Sequence, residues 1–263
     1  ASKGAGLGNQ FLSHIREVDA IIHVIRCFKD SDIVHVDGDI DPLRDVETIE
    51  MELIFADMES LEKRLPNLEK KAKTDKKFLE QIGFIKKILK FLNEGKRTRS
   101  LELNEEEKII LKDLQLLTSK PIIYVANVMD TDIPKGNEYS DIILNKALKE
   151  KAPSVIICSK IEAEISLIPT KEERQDFLNS FGLEKTGLEL IIRSCYNLLD
   201  LISFFTIGPK EARAWTVKKG SKAPQAAGVI HTDFEKGFIR AETISYEDYI
   251  KFNGEAGCKD AGK

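Results

Sequence analysis

Three stretches of the chain are almost continuously apolar and β-branched: residues 18–28 (VDAIIHVIRCF), 121–126 (PIIYVA) and 154–158 (SVIIC). Short runs of this kind predict strands covered on both faces in a parallel sheet. Helical patterns lie between and after them. Residues 138–150 form one. Residues 171–180 form another, opened by a capping box of Thr170 with Glu173 and closed near Gly182, and a third opens with Thr186 and Glu189. Alternation of strand and helix argues for an α/β fold with a parallel sheet.

The alternation is interrupted between the first two strands. Asp41-Pro42 is a helix start, a cap followed by proline at the first helical position. From there the sequence stays charged and helical to about residue 117. Ile54, Met58, Leu61 and Leu65, and then Phe78, Ile82, Ile85, Leu89 and Leu92, recur at alternating steps of four and three, the spacing of heptads. Asn104 with Glu107 caps one more helix. These signals predict an antiparallel, coiled-coil-like hairpin inserted in the α/β domain, with its apolar stripe used for packing. After about residue 200, short strands are expected at 211–217, 228–231 and 237–244, punctuated by Gly220, Pro224, Gly228 and Gly237. The expected division is residues 1–45 and 119–200 for the α/β domain, 46–118 for the helical insertion and 201–263 for a small, mainly β domain.

Composition narrows the classes. With 42% hydrophobic and 32% charged residues, the chain has material for a core and is neither a disordered nor a fibrous sequence. No apolar run approaches the roughly 20 residues of a membrane helix. The cysteines Cys27, Cys158, Cys195 and Cys258 are scattered, with no C-x-x-C pair. That fits reduced thiols in a cytosolic protein and excludes a cysteine-rich zinc module. The net charge of −4 excludes a globally basic nucleic-acid binder. The C-terminal 63 residues are nevertheless slightly basic on an acidic chain, which points weakly to a polyanionic partner.

Candidate chemistry sits at two strand ends, where open parallel sheets bind ligands. The second strand runs into Asn127-Val128-Met129-Asp130 and the third into Cys158-Ser159-Lys160. The pair resembles the N-K-x-D and S-A-K base loops of P-loop GTPases. An amide at the first position bonds neighbouring backbone and the base, and a carboxylate at the fourth accepts the two N–H donors of guanine. Taken alone, Asn and Asp at strand ends are more often turn formers. In the C-terminal part, Arg213, Lys218, Lys219 and Lys222 interleave with Trp215, and His231, Phe234, Lys236 and Arg240 follow. Such a face suits RNA through phosphate contacts and stacking, or is a solvated surface over a core of Trp215 and Phe238. His23, in an apolar strand, reads as a core histidine.

Four blocks are similar, in order, to one family: ASKGAGLGNQFLSHIREVDAIIHVIRCF, HVDGDIDPLRDVETIEMEL, KPIIYVANV and EARAWTVKKGSKAPQAAGVIHTDFEKGFIRAETISYEDYI. They resemble the YchF/Obg-like ATPases, a branch of the Obg-related P-loop GTPases, over essentially the whole chain. The resemblance implies a partial P-loop NTPase domain with a parallel sheet, a helical coiled-coil insertion and a C-terminal TGS domain of β-grasp type. It implies a cytoplasmic, ribosome-associated protein that binds and hydrolyses ATP, or GTP, with Mg²⁺. Carried over by position, Asn127 and Val128 contact the base, Ser159 and Lys160 lie in the second base loop, and Gly4, Gly6 and Gly8 fall in the tail of switch II. The cations Arg213, Lys218, Lys219, Lys222, Lys236 and Arg240 become contacts to RNA or the ribosome.

The sequence departs from the family twice. Asp130 stands where the family usually has Glu, which leaves guanine recognition open. No G-x-x-x-x-G-K-[ST] occurs among the 263 residues, so the loop that cradles phosphates and the hydroxyl that binds Mg²⁺ are missing. The chain is therefore expected to be cut ahead of residue 1, to hold no nucleotide tightly and to turn none over alone. The alternative is a non-catalytic module that binds RNA or the ribosome.

Overall fold

A computed structural model describes residues 7–30, 39–208 and 210–263. Two compact units divide it, residues 1–199 and 200–263. The first opens with helix α1 (Leu7–Glu17), then β1 (Ile21–Arg26), α2 (Pro42–Ala72), α3 (Phe78–Asn93), α4 (Glu105–Leu114) and β2 (Ile122–Asn127). It continues through α5 (Glu138–Glu150), β3 (Ser154–Ile157), α6 (Ser159–Leu167), α7 (Lys171–Ser180) and α8 (Gly187–Leu198). Gly4 and Gly6 lie outside the described residues, and Gly8 falls in the first turn of α1, a helix the glycine-rich opening conceals.

The sheet is parallel throughout, in the order β1-β2-β3, with Ile22 beside Ile123 and Val24 beside Val125. On one face Ile25, Ile122, Tyr124 and Ala126 pack against Val46 of α2 and Ile143 and Ala147 of α5. On the other, Ile123, Val125, Val155 and Ile157 pack against α8. The central strand β2 is thus covered on both sides. In β1, Ile22 and Val24 are 46% and 55% exposed, which corrects the expectation that this apolar strand is sandwiched. β1 is an edge, and α8 reaches only β2 and β3 among the strands with several contacts.

Helix caps form where the sequence places them. Asp41 accepts from the Arg44 N–H at 3.1 Å, Thr170 and Thr186 accept from Glu173 and Glu189, and Asn104 and Glu107 close a full capping box. α2 does two jobs. Its first turns belong to the α/β core through Val46, and its middle packs against α3 through Ile54, Leu61, Ile85, Ile88 and Leu92. Asp57 fixes this helix to the approach to β2: fully buried, it accepts from the Leu117 and Thr118 N–H groups and the Thr118 hydroxyl, each at 2.8 Å.

The second unit pairs β4 (Leu201–Ile207) with β5 (Ala212–Lys218) as an antiparallel hairpin. Four short helices follow: α9 (Ala223–Ile230), α10 (Thr232–Lys236), α11 (Tyr246–Lys251) and α12 (Glu255–Asp260). Two expected strands are not there. Residues 228–231 close α9, an alanine-rich segment with proline in its first turn, and helix propensity wins over a short apolar run. Residues 237–244 form no strand, and Ile239 is 91% exposed. β4 is hidden in the sequence because helix α8 runs into it almost without a break.

Candidate functional site

The loops after β2 and β3 are tied to each other. Asn127 ends β2 half-buried, and its Oδ1 accepts the Ser159 N–H at 2.9 Å. The amide thereby fixes the start of α6 to the neighbouring strand end. Three residues on, Asp130 accepts from its neighbour Thr131 N–H at 2.9 Å and from Lys160 Nζ at 2.7 Å. The Lys160 hydrogen bond and charge hold the Asp130 carboxyl below its ordinary range and raise the lysine. Asn127, Asp130, Ser159 and Lys160 are thus brought together at the carboxyl ends of two adjacent parallel strands.

Val128 is not part of this constellation. Its side chain is 2% exposed within the main core, beside Ile25 and Cys27, and its N–H donates to the Ile157 carbonyl at 2.9 Å. The expected base contact from this side chain is corrected: alternation along the strand turns residue 128 inward.

Beside Met129 opens a cavity of about 270 Å³, lined also by Phe28, Lys29, Asp132, Asn137 and Tyr139. No local motif announces it, because it joins the end of β1 to the start of α5. Asn137 builds it: its Nδ2 donates to Asp132 at 2.6 Å and to the Cys27 carbonyl at 2.8 Å, while its Oδ1 caps α5. Gly136 makes the turn possible. Its φ is +82°, and a Cβ there would stand 2.4 Å from the Ser140 hydroxyl.

Behind the sheet lies a charged network that sequence reading also missed. Glu50 of α2 accepts from Arg99 at 2.7 Å, from Lys146 of α5 at 3.2 Å and from the Tyr124 hydroxyl at 3.0 Å. Glu150 accepts from Lys146, Tyr124 and Arg97. Its partners are up to 96 residues apart, so no pattern over a few residues could show it.

The cationic residues of the second unit do not form one face. Arg213 stacks its guanidinium 4.1 Å from the Trp215 ring. Lys218, an odd number of residues away on β5, belongs to the opposite face of the strand. Lys219 and Lys222 follow the strand, Lys236 ends α10 and Arg240 lies in the segment after it. Trp215 and Phe238 are half-buried, and the Trp215 indole N–H donates to Thr206 at 2.9 Å.

A parallel sheet with tethered polar loops at its strand ends defines the class: an α/β protein with polar groups gathered at the carboxyl edge of the sheet, the edge at which open parallel sheets generally bind ligands. Comparison with known proteins gives the family. Residues 201–263 match the model YchF-GTPase_C, described as a protein of unknown function (DUF933). The chain is 50% identical over 266 residues to the ribosome-binding ATPase YchF of Bacillus subtilis (strain 168), and 51% identical over 264 residues to that of Haemophilus influenzae. Each alignment covers 100% of this chain and 72% of the relative. The solved structure of the Schizosaccharomyces pombe YchF GTPase superposes with a TM-score of 0.84 at 40% identity, covering 100% of this chain and 71% of that one. The chain belongs to the YchF family.

Proposed function

We propose that this chain forms the base-binding part of a ribosome-associated, cytoplasmic protein that binds and hydrolyses ATP, with GTP the weaker ligand. The relatives named as ribosome-binding ATPases support the activity and the partner. Asn127, Asp130, Ser159 and Lys160 form the base site in this reading. Asn127 holds the two loops at a fixed spacing. The observation that carries the preference is the Lys160–Asp130 pair at 2.7 Å. A free carboxylate at this position would accept the two N–H donors of guanine. Here one oxygen is already taken by an ammonium group, and guanine must displace it, whereas adenine presents no such donor pair.

Hydrolysis of the β–γ bond needs groups that cradle phosphate, and these 263 residues contain no such loop. Among the described residues no three His, Cys, Asp or Glu side chains converge on a metal position. The second unit, read as a TGS-type module, offers RNA separate contacts rather than one face: Arg213 and Lys218 from opposite faces of β5, and Lys219, Lys222, Lys236 and Arg240 from the segments after it.

The test is Lys160→Ala, in a chain that also carries a phosphate-binding segment. Releasing Asp130 should raise the affinity for GTP relative to ATP, by a modest factor because the pair is exposed to solvent. An unchanged ratio would show that Asp130 does not read the base. The 263-residue chain by itself should show no turnover of either nucleotide above a protein-free control.

A further inference from the structure

Asn137 is tied to more of the strand-end loops than its place at the start of α5 explains. It is half-buried, and every polar position of its amide is used. Oδ1 accepts the Tyr139 and Ser140 N–H groups, each at 3.0 Å. The two N–H groups of Nδ2 donate to the Cys27 carbonyl at 2.8 Å and to the Asp132 carboxylate at 2.6 Å. A primary amide has two donors and two acceptor lone pairs, so nothing is left over for a ligand. The same bonds fix which way the amide faces, since a flipped group would set N–H against N–H and oxygen against oxygen.

Capping accounts for half of this. Asp, Ser or Thr serves as a helix cap about as well as Asn does, and Asp41, Thr170 and Thr186 cap other helices of this chain. None of those side chains caps with one atom and donates twice from another. The two donors act at places that matter for the strand-end site. Cys27 is the first residue past β1, and its N–H already donates to the Asn127 carbonyl at 2.8 Å. Asn137 holds the carbonyl of the same residue, which fixes the chain as it enters Phe28. Asp132 closes the helical turn Asp130–Asp132. Its N–H donates to the Met129 carbonyl at 3.1 Å, and its carbonyl accepts the Gly136 N–H at 2.7 Å. Asp130, the partner of Lys160, sits in that turn. One side chain therefore ties together the end of β1, the loop after β2 and the start of α5, with partners as far as 110 residues away. Behind it Ser140 is fully buried, and its hydroxyl accepts the Asn137 N–H at 2.8 Å and donates to the Asn137 carbonyl at 2.7 Å.

We propose that Asn137 is a positioning residue for the base site: it touches no ligand, and through Cys27 and Asp132 it sets the distance between Phe28 and the Met129–Asp130 loop, and with it the affinity for the base. This rests on the reading of Asn127, Asp130, Ser159 and Lys160 as that site. A side chain whose own bonds are saturated acts on a ligand only through the groups it holds in place.

The test compares ATP with inorganic tripolyphosphate, which has phosphates but no base, in the chain extended by a phosphate-binding segment. Asn137→Asp keeps the cap but loses both donors and sets a second carboxylate against Asp132. It should weaken ATP binding by about tenfold, the scale of one lost hydrogen bond, and leave tripolyphosphate unchanged. Combining Asn137→Asp with Asp132→Asn reverses the direction of the 2.6 Å bond and should recover part of the loss. Geometry is read in the 263-residue chain, whose three methionines are Met51, Met58 and Met129. With carbon-13-labelled methyl groups, Asn137→Asp should shift the NMR signal of Met129, which lines the cavity. The signals of Met51 and Met58, on α2, should stay in place and show that the fold is kept. Should they move as well, the double variant, free of the facing carboxylates, takes the place of the single one. ATP binding equal to the parent's, or an equal fall for ATP and tripolyphosphate, would overturn the positioning role and leave the base reading intact. So would a double variant whose Met129 signal returns to the parent position while its ATP affinity does not. A parent that binds ATP no more tightly than tripolyphosphate would overturn the base reading itself, and the positioning role with it.

Discussion

His23 shows how one residue acquires its properties from distant neighbours. It lies on β1 with its ring 6.1 Å from that of Tyr124, on the side of the sheet that carries Glu50, Arg99 and Lys146. Burial, before all else, holds its imidazole below the ordinary 6.5; Glu50 opposes this, Arg99 and Lys146 reinforce it, and Asp45 weakly opposes. The imidazole is thus harder to protonate in the folded chain than in the unfolded one. As pH falls through 6.5 the unfolded chain takes up this proton first, so stability is complete above that value and declines below it. Thermal unfolding followed from neutral pH to about pH 5 should show this decline. His23→Gln should flatten it, and an equal decline in the variant would place its source elsewhere. The apolar surroundings of His23 in the sequence mark it as a core residue. The charges that tune it come from α2, the segment before α4, and α5, and no spacing along the chain announces them.

At the scale of the element, the sheet offers a controlled comparison. Val24 and Val125 are register partners on the same face of adjacent strands, yet Val24 is 55% exposed and Val125 is fully buried under α8. Val125→Thr should cost about 1–3 kcal/mol, because a hydroxyl is buried without a partner. Val24→Thr should stay within about 0.5 kcal/mol, as surface substitutions do. Denaturant midpoints would decide, and equal losses would mean that β1 is covered in solution. Helix boundaries are legible in the sequence, since caps such as Asn104 and Thr186 act on the backbone within a few residues. Strand coverage is not. An apolar run records what a strand can bury, whereas the placement of α8 over β2 and β3 determines what is buried here.

The two units of the whole molecule differ in how they are held. Residues 1–199 share several buried clusters. Among the described residues of 200–263, Cys258 is the one buried apolar side chain. A unit of this size with so little core is marginal by the scaling of surface to volume. Residues 1–199 expressed separately should therefore unfold cooperatively near the midpoint of the chain's main transition. Residues 200–263 alone should exchange their amide hydrogens rapidly and show no sharp transition. A cooperative unfolding transition in the smaller piece would contradict that assignment.

Local physics is therefore determined by the sequence itself. The strands β2 and β3, the caps, the heptad stripe between α2 and α3, and the polar residues at the two strand ends all follow from interactions over a few residues. Asn127, Asp130, Ser159 and Lys160 stand out as a set in the sequence alone, through their likeness to known base loops. Tertiary structure alone decides the rest: that Val128 turns into the core, that Lys160 already occupies Asp130, that β1 is open on one face and that residues 228–231 close a helix. Each depends on which distant groups meet, and a chain of 263 residues does not write its long-range contacts into its local pattern.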